Sequence, residues 1–94
     1  MKAKNGISKG EKKVKGGKLI RCEVRVKEDR IEEIRFTGDF FIHPEEMLEK
    51  LEENLRGKNI EEAEEIINSF FENIEGIGVT ADDFIEVLKK AVIS

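Results

Sequence analysis

Between positions 19 and 37 apolar and polar residues alternate with a period of two. Ile20, Cys22, Val24 and Val26 interleave with Arg21, Glu23, Arg25 and Lys27, the pattern of a strand with one buried and one wet face. Glu28-Asp29 then turns the chain, and residues 31–37 return with Ile34 and Phe36 on one face, which predicts an antiparallel hairpin. Upstream, only Val14 supports a short strand near 11–15. Residues 1–10 (MKAKNGISKG) are polar with two glycines and read as a flexible arm, leaving 11–94 as the single domain.

Beyond the hairpin the apolar period becomes helical. Pro44 suits a first helical position, where its missing N–H costs nothing, and places His43 at the N-cap. Met47, Leu48, Leu51 and Leu55 form a stripe that Gly57 ends. Asn59 predicts the N-cap of a second helix, with Glu62 placed to complete a capping box, and Ala63, Ile66, Ile67, Phe70, Phe71 and Ile74 form its stripe. Gly76 and Gly78 close it. Thr80 caps a third helix with Ala81, Phe84, Ile85, Leu88 and Val92 inward. The fold class is therefore α+β: a small antiparallel β-sheet followed by three α-helices packed on one of its faces, so that both sets of stripes are buried.

Composition narrows the picture. The 94 residues make one domain, and no apolar run approaches the roughly 20 residues of a membrane helix, so no membrane span is expected. The lysine- and glycine-rich start is unlike a signal peptide, and one cysteine forms no internal disulfide, which points to a cytoplasmic location. Charged residues reach 40%, mostly Glu and Lys, with no Gln, Trp or Tyr, a balance similar to that of thermophile proteins. The charge is polarised: residues 1–30 hold eleven Lys/Arg against four acids, residues 31–94 six against seventeen. A basic segment can bind nucleic acid, but this one has no aromatic residue for base stacking, and Arg21, Arg25 and Lys27 fall at strand spacing; no nucleic-acid partner is expected.

Candidate chemistry is sparse. Cys22 lies on the apolar strand face and reads as a small buried hydrophobe. One Cys and one His do not supply the three or four donors of a metal site. The paired acids Glu45-Glu46, Glu61-Glu62 and Asp82-Asp83 each open a helix, where they complement the helix dipole. No Gly-rich phosphate loop, HExxH or nucleophile motif occurs, so no catalytic residue, cofactor or metal is assigned to this chain. Gly38-Asp39-Phe40-Phe41 stands apart, with two aromatics where the chain changes direction. One of Phe40 and Phe41 is expected in the core. The other is left at the surface, where an exposed aromatic is either structurally neutral or an interface anchor.

These residues carry a family resemblance. Gly16-Gly17-Lys18-Leu19-Ile20, then Ile31-Glu32-Glu33-Ile34-Arg35-Phe36, Gly38-Asp39-Phe40-Phe41 and the helix opening Thr80-Ala81-Asp82-Asp83-Phe84 resemble, in order, the C-terminal accessory domain of lipoate–protein ligases. The likeness spans residues 14–92. It lacks the Arg-Arg…Gly-Gly-Gly segment of the catalytic domain, so the chain looks like the separately encoded small subunit of some archaea. The resemblance implies a non-catalytic accessory subunit whose catalytic partner carries lipoate, ATP and Mg, adenylates lipoate and passes it to a lipoyl-domain acceptor that this chain meets only indirectly. It also implies a role in the activation step, which fits gating of the active site. The partner interface is expected at Gly17, Lys18, Gly38, Asp39, Phe40 and Phe41.

The hairpin-then-helices layout is also similar to the U-type iron–sulfur scaffold fold, and Gly57-Lys58-Asn59-Ile60-Glu61-Glu62-Ala63 resembles its Gly-Lys…Glu-Glu-Ala segment. Those scaffolds hold their cluster on three cysteines, none matched here. An iron–sulfur or sulfur-transfer relative that lost its ligands is the alternative reading.

Overall fold

The computed structural model describes residues 7–14 and 16–93. Its elements run β1 (Ile7–Val14), β2 (Lys18–Lys27), β3 (Arg30–Gly38), β4 (Phe41–His43), α1 (Glu46–Leu55), α2 (Ile60–Phe71), β5 (Glu75–Ile77) and α3 (Ala81–Ile93). β1, β2 and β3 form an antiparallel meander in that order, and β4 pairs with β5 in a separate two-stranded ribbon. The β2–β3 turn uses positive φ at Glu28 (54°) and Asp29 (66°), as a tight hairpin turn demands.

The core lies on one face of the three-stranded sheet. Ile20, Cys22 and Val24 of β2 meet Ile31, Ile34 and Phe36 of β3 there, all buried. A register shift at Arg25/Val26, which passes over Glu32, keeps Ile31 on this face although it lies three positions from Ile34. α3 lies against β1 and β2, α1 against β3 and β4, and α2 packs on both helices. Phe84 is the aromatic centre: Phe36 stacks on it at 4.2 Å, and Phe40 and Phe71 meet it edge-on at 5.2 and 5.3 Å.

Two of the three helix starts expected from the sequence are capped reciprocally. Asn59 Oδ1 accepts the Glu62 N–H at 2.8 Å while Glu62 Oε1 accepts the Asn59 N–H at 3.0 Å. Thr80 Oγ1 accepts the Asp83 N–H at 3.3 Å, and Asp83 Oδ2 accepts the Thr80 N–H at 2.9 Å. The acids that open these helices serve as caps.

Four local expectations are corrected. First, β1 begins at Ile7, so residues 7–10 belong to the sheet; the remainder of the expected arm, 1–6, and Lys15 lie outside the described residues. Second, the buried side of α3 is Phe84, Val87, Leu88 and Ala91, with Ala81, Ile85 and Val92 only partly buried. One close approach explains both. A Cβ on Gly10 would lie 2.5 Å from Val87 O and 2.7 Å from Ala91 N, so the glycine lets the helix backbone rest directly on β1. Third, Pro44 and His43 precede the helix rather than start it. Ile42 is drawn into the ribbon, His43 ends β4, and Glu45 takes the N-cap position of α1. Fourth, residues 75–77 form β5 rather than a helix end.

The free edge of β3 is closed from within the chain. Gly57 N–H donates to Ile31 O at 2.7 Å, Ile31 N–H to Lys58 O at 2.9 Å, and Phe36 N–H to Glu52 Oε2 at 2.8 Å. Burial raises the Glu52 carboxyl above its ordinary value, an effect the Phe36 N–H only partly offsets.

Candidate functional site

The Gly38–Phe41 run is built against the start of β2. Gly38 faces Ile20 across the ladder with φ 140°, and a Cβ there would stand 2.2 Å from Leu19 O, a place only glycine can occupy. Asp39 holds Leu19 from both sides: its N–H donates to Leu19 O at 2.9 Å, and its Oδ2 accepts the Leu19 N–H at 3.1 Å. Phe40 turns inward onto Phe84. Phe41 turns outward and is 72% exposed.

Across the ribbon Phe41 pairs with Ile77, itself 52% exposed, while Ile42, in the next pair opposite Gly76, is buried. Two large apolar side chains thus stand together on the outer face of a short strand pair. Lys18 borders them. Its Cδ passes within 3.9 Å of where a side chain on Gly78 would begin, beside Asp39 O and the Phe40 Cα. Gly16 and Gly17, with φ 87° and 78° and nothing within 4 Å of a Cβ on either, project as the open tip of the β1–β2 hairpin.

All six residues expected at an interface therefore fall in one region, and the geometry divides them. Gly38, Asp39 and Phe40 serve the fold, Phe41 and Lys18 face solvent, and Gly17 shapes the tip. Ile77 was not foreseen. A three-residue strand flanked by Gly76 and Gly78 has no periodicity to read, so no sequence signal marked it.

The other candidates are placed elsewhere. Cys22 is fully buried, and burial, reinforced by the Glu52 and Glu23 charges, pushes its thiol up to about 12, which leaves it protonated and unreactive at neutral pH. His43 is exposed opposite Glu75. Among the described residues no three His, Cys, Asp or Glu side chains gather as a metal site, and no helix is long and apolar enough to cross a membrane. A surface hollow of about 470 Å³ is lined by charges of both signs, including Arg25, Arg35, Glu33 and Glu53, and by no nucleophile–base pair. The helix-free face of the sheet likewise alternates. Arg21 Nε lies 2.8 Å from Glu11, Lys9 Nζ 3.9 Å from Glu23, and Arg25 faces Glu33 across the ladder. The Arg21–Glu11 and Lys9–Glu23 pairs reduce the basic field that a nucleic-acid surface needs.

Fold and site together define a small α+β module that covers one sheet face with helices and offers an apolar pair on a side ribbon. The chain belongs to the family described as bacterial lipoate protein ligase C-terminus, which matches residues 8–88. It is 40% identical over 83 residues to lipoate-protein ligase A subunit 2 of Thermoplasma acidophilum, covering 87% of this chain and 86% of that protein. A solved chain from the archaeal lipoylation system of Thermoplasma acidophilum, a bi-partite lipoate protein ligase and its E2 lipoyl domain, superposes with a TM-score of 0.79 at 36% identity, over 88% of this chain and 94% of that one. The iron–sulfur scaffold alternative gains no support from these relatives.

Proposed function

We propose that this chain is the non-catalytic accessory subunit of a bipartite lipoate–protein ligase, acting with a separate catalytic subunit as lipoate is activated by ATP to lipoyl-adenylate. The observation that carries this reading is the near full-length match to subunit 2 of an archaeal two-part ligase. The buried, protonated Cys22 and the lack of a nucleophile–base pair among the described residues are consistent with chemistry performed on the partner, which would carry lipoate, ATP and Mg. Phe41 and Ile77, with Lys18 at their edge, are the surface through which the chain docks on that partner. Exposed aromatics that become buried on binding typically dominate interface energy, and the lipoyl-domain acceptor is met only through the complex.

The test is lipoate-dependent ATP–pyrophosphate exchange. This chain alone is expected at background, the catalytic subunit alone low, and the mixture well above their sum. Exchange by the isolated chain, or a mixture no faster than the catalytic subunit alone, would contradict the proposal.

A further inference from the structure

The open hairpin tip beside the Phe41–Ile77 pair has a chemical character that docking alone does not use. The tip reads Lys12-Lys13-Val14-Lys15-Gly16-Gly17-Lys18, four lysines within seven residues of a chain whose net charge is −4. Lys12 is occupied, its Nζ donating to Asp83 Oδ1 at 2.7 Å and Glu86 Oε1 at 2.6 Å. Lys13 and Lys18 are exposed, and neither has an acidic partner among the described residues, unlike Lys9, Arg21, Arg30, Arg56 and Lys89. Asp39, whose backbone lies beside the Lys18 stem at Gly78, has its carboxylate engaged by the Leu19 N–H. By register Lys18 lies on the helix side with Val14 and Lys13 on the opposite face, so the two unpaired ammonium groups flank the glycine turn from both sides and make the tip beside the apolar docking pair positive.

We propose that Lys18, assisted by Lys13, reaches into the active site of the docked catalytic subunit and binds the polyphosphate of its ATP. This rests on the accessory-subunit reading. In the activation step a carboxylate oxygen of lipoate attacks the α-phosphorus of ATP. The carbon–oxygen–phosphorus linkage of the mixed anhydride forms as the α–β phosphoanhydride bond breaks, and its electron pair leaves with pyrophosphate. Negative charge grows on the leaving group in the transition state, and an ammonium held there stabilises it more than the ground state. Lys18 fits because its stem is supported along Gly78 while its head is free. A contact to the leaving group acts in activation alone, because pyrophosphate has departed before the transfer.

The experiment uses the assembled complex with wild-type chain, Lys13→Gln/Lys18→Gln, Lys18→Arg, and Lys50→Gln as a control lysine on α1. Lipoate-dependent ATP–pyrophosphate exchange is measured against ATP and pyrophosphate concentration, subunit affinity is measured by calorimetry, and transfer from preformed lipoyl-adenylate to a lipoyl domain is followed separately. The double variant is assayed at saturating chain, set from its own measured subunit affinity, so that weaker docking at the edge of the surface is separated from the nucleotide kinetics. Its KM for ATP and pyrophosphate should rise about tenfold, the size expected for losing a charge-assisted hydrogen bond. Its KM for lipoate and its transfer rate should not change, and Lys18→Arg should retain most of the effect. Unchanged nucleotide kinetics in the double variant, or a loss explained wholly by weaker subunit binding, overturns the proposal. If the wild-type chain itself fails to stimulate exchange, the accessory reading falls instead.

Discussion

Phe40 and Phe41 are neighbours in sequence with opposite environments, because successive residues of an extended segment point to opposite sides. Phe40 packs edge-on to Phe84 and Phe41 stands in solvent. Phe40→Ala is therefore expected to lower stability by roughly 2–4 kcal/mol, the range for truncating a large core side chain. Phe41→Ala removes a cross-strand contact with Ile77 worth at most about 1 kcal/mol. Thermal melts of the two variants check this; equal losses would mean that both rings serve the core. Cys22 makes the same point for a polarisable residue. Filling its pocket with the slightly larger apolar side chain of Cys22→Val should leave stimulation of the catalytic subunit intact, and a folded variant without activity would show that the thiol has a chemical role. At this scale the sequence was legible as alternatives, since Gly38-Asp39-Phe40-Phe41 showed that one aromatic would be left outside without showing which. Ladder register and the Asp39–Leu19 clasp decide it, and both depend on a partner strand about twenty residues away in sequence.

Among the elements, those with long apolar periods were readable: the β2–β3 hairpin, the stripes of α1 and α2, and the Asn59–Glu62 capping box. β1 was mostly invisible. Its core-side positions are Ser8, Gly10, Lys12 and Val14, opposite Val24, Cys22, Ile20 and Lys18. Gly10 is there for the approach of α3, and Lys12 because an ion pair under the strand replaces apolar packing, so the alternation expected of a half-buried strand never forms. Gly10→Ala is expected to destabilise by about 1–3 kcal/mol, since the added methyl meets backbone atoms of α3 that cannot rotate away. A melting temperature equal to wild type would show that α3 shifts freely.

The Lys12–Asp83–Glu86 clamp also fixes a pH dependence. The Lys12 ammonium is held above its ordinary 10.5, first by its hydrogen bond to Asp83 and then by that to Glu86. Its contribution is complete below 10.5 and fades as pH rises through the raised value. Burial by itself would raise Asp83, but its hydrogen bonds with Lys12 and Thr80 outweigh this and hold it below 3.8. Its contribution is complete above 3.8 and is lost as pH falls through the lowered value. Glu52, raised above 4.5 by burial, acts with the opposite sign and gains on acidification. Asp83→Asn should therefore lose less stability than wild type between about pH 6 and pH 2, measured by denaturant titration at each pH. Parallel acid limbs in the two proteins would contradict the assignment.

As a whole molecule the chain is a closed core with an exposed corner. Helices cover one sheet face, ion pairs at Arg21 and Lys9 line the other, and the chain's own loop and Glu52 close the β3 edge; at the ribbon and hairpin tip apolar surface and unpaired positive charge coincide. Sequence alone reached the family. It missed Ile77, since the ribbon forms only when residues 41–43 and 75–77, far apart in the chain, are brought side by side. The central claim, that this corner docks on a catalytic ligase subunit, is tested most directly by titrating that subunit with wild-type chain and with Phe41→Ala/Ile77→Ala, after circular dichroism shows the variant folded. The account predicts a loss of about 2 kcal/mol or more in binding free energy, roughly thirtyfold in Kd. A folded double variant that binds with wild-type affinity would contradict it.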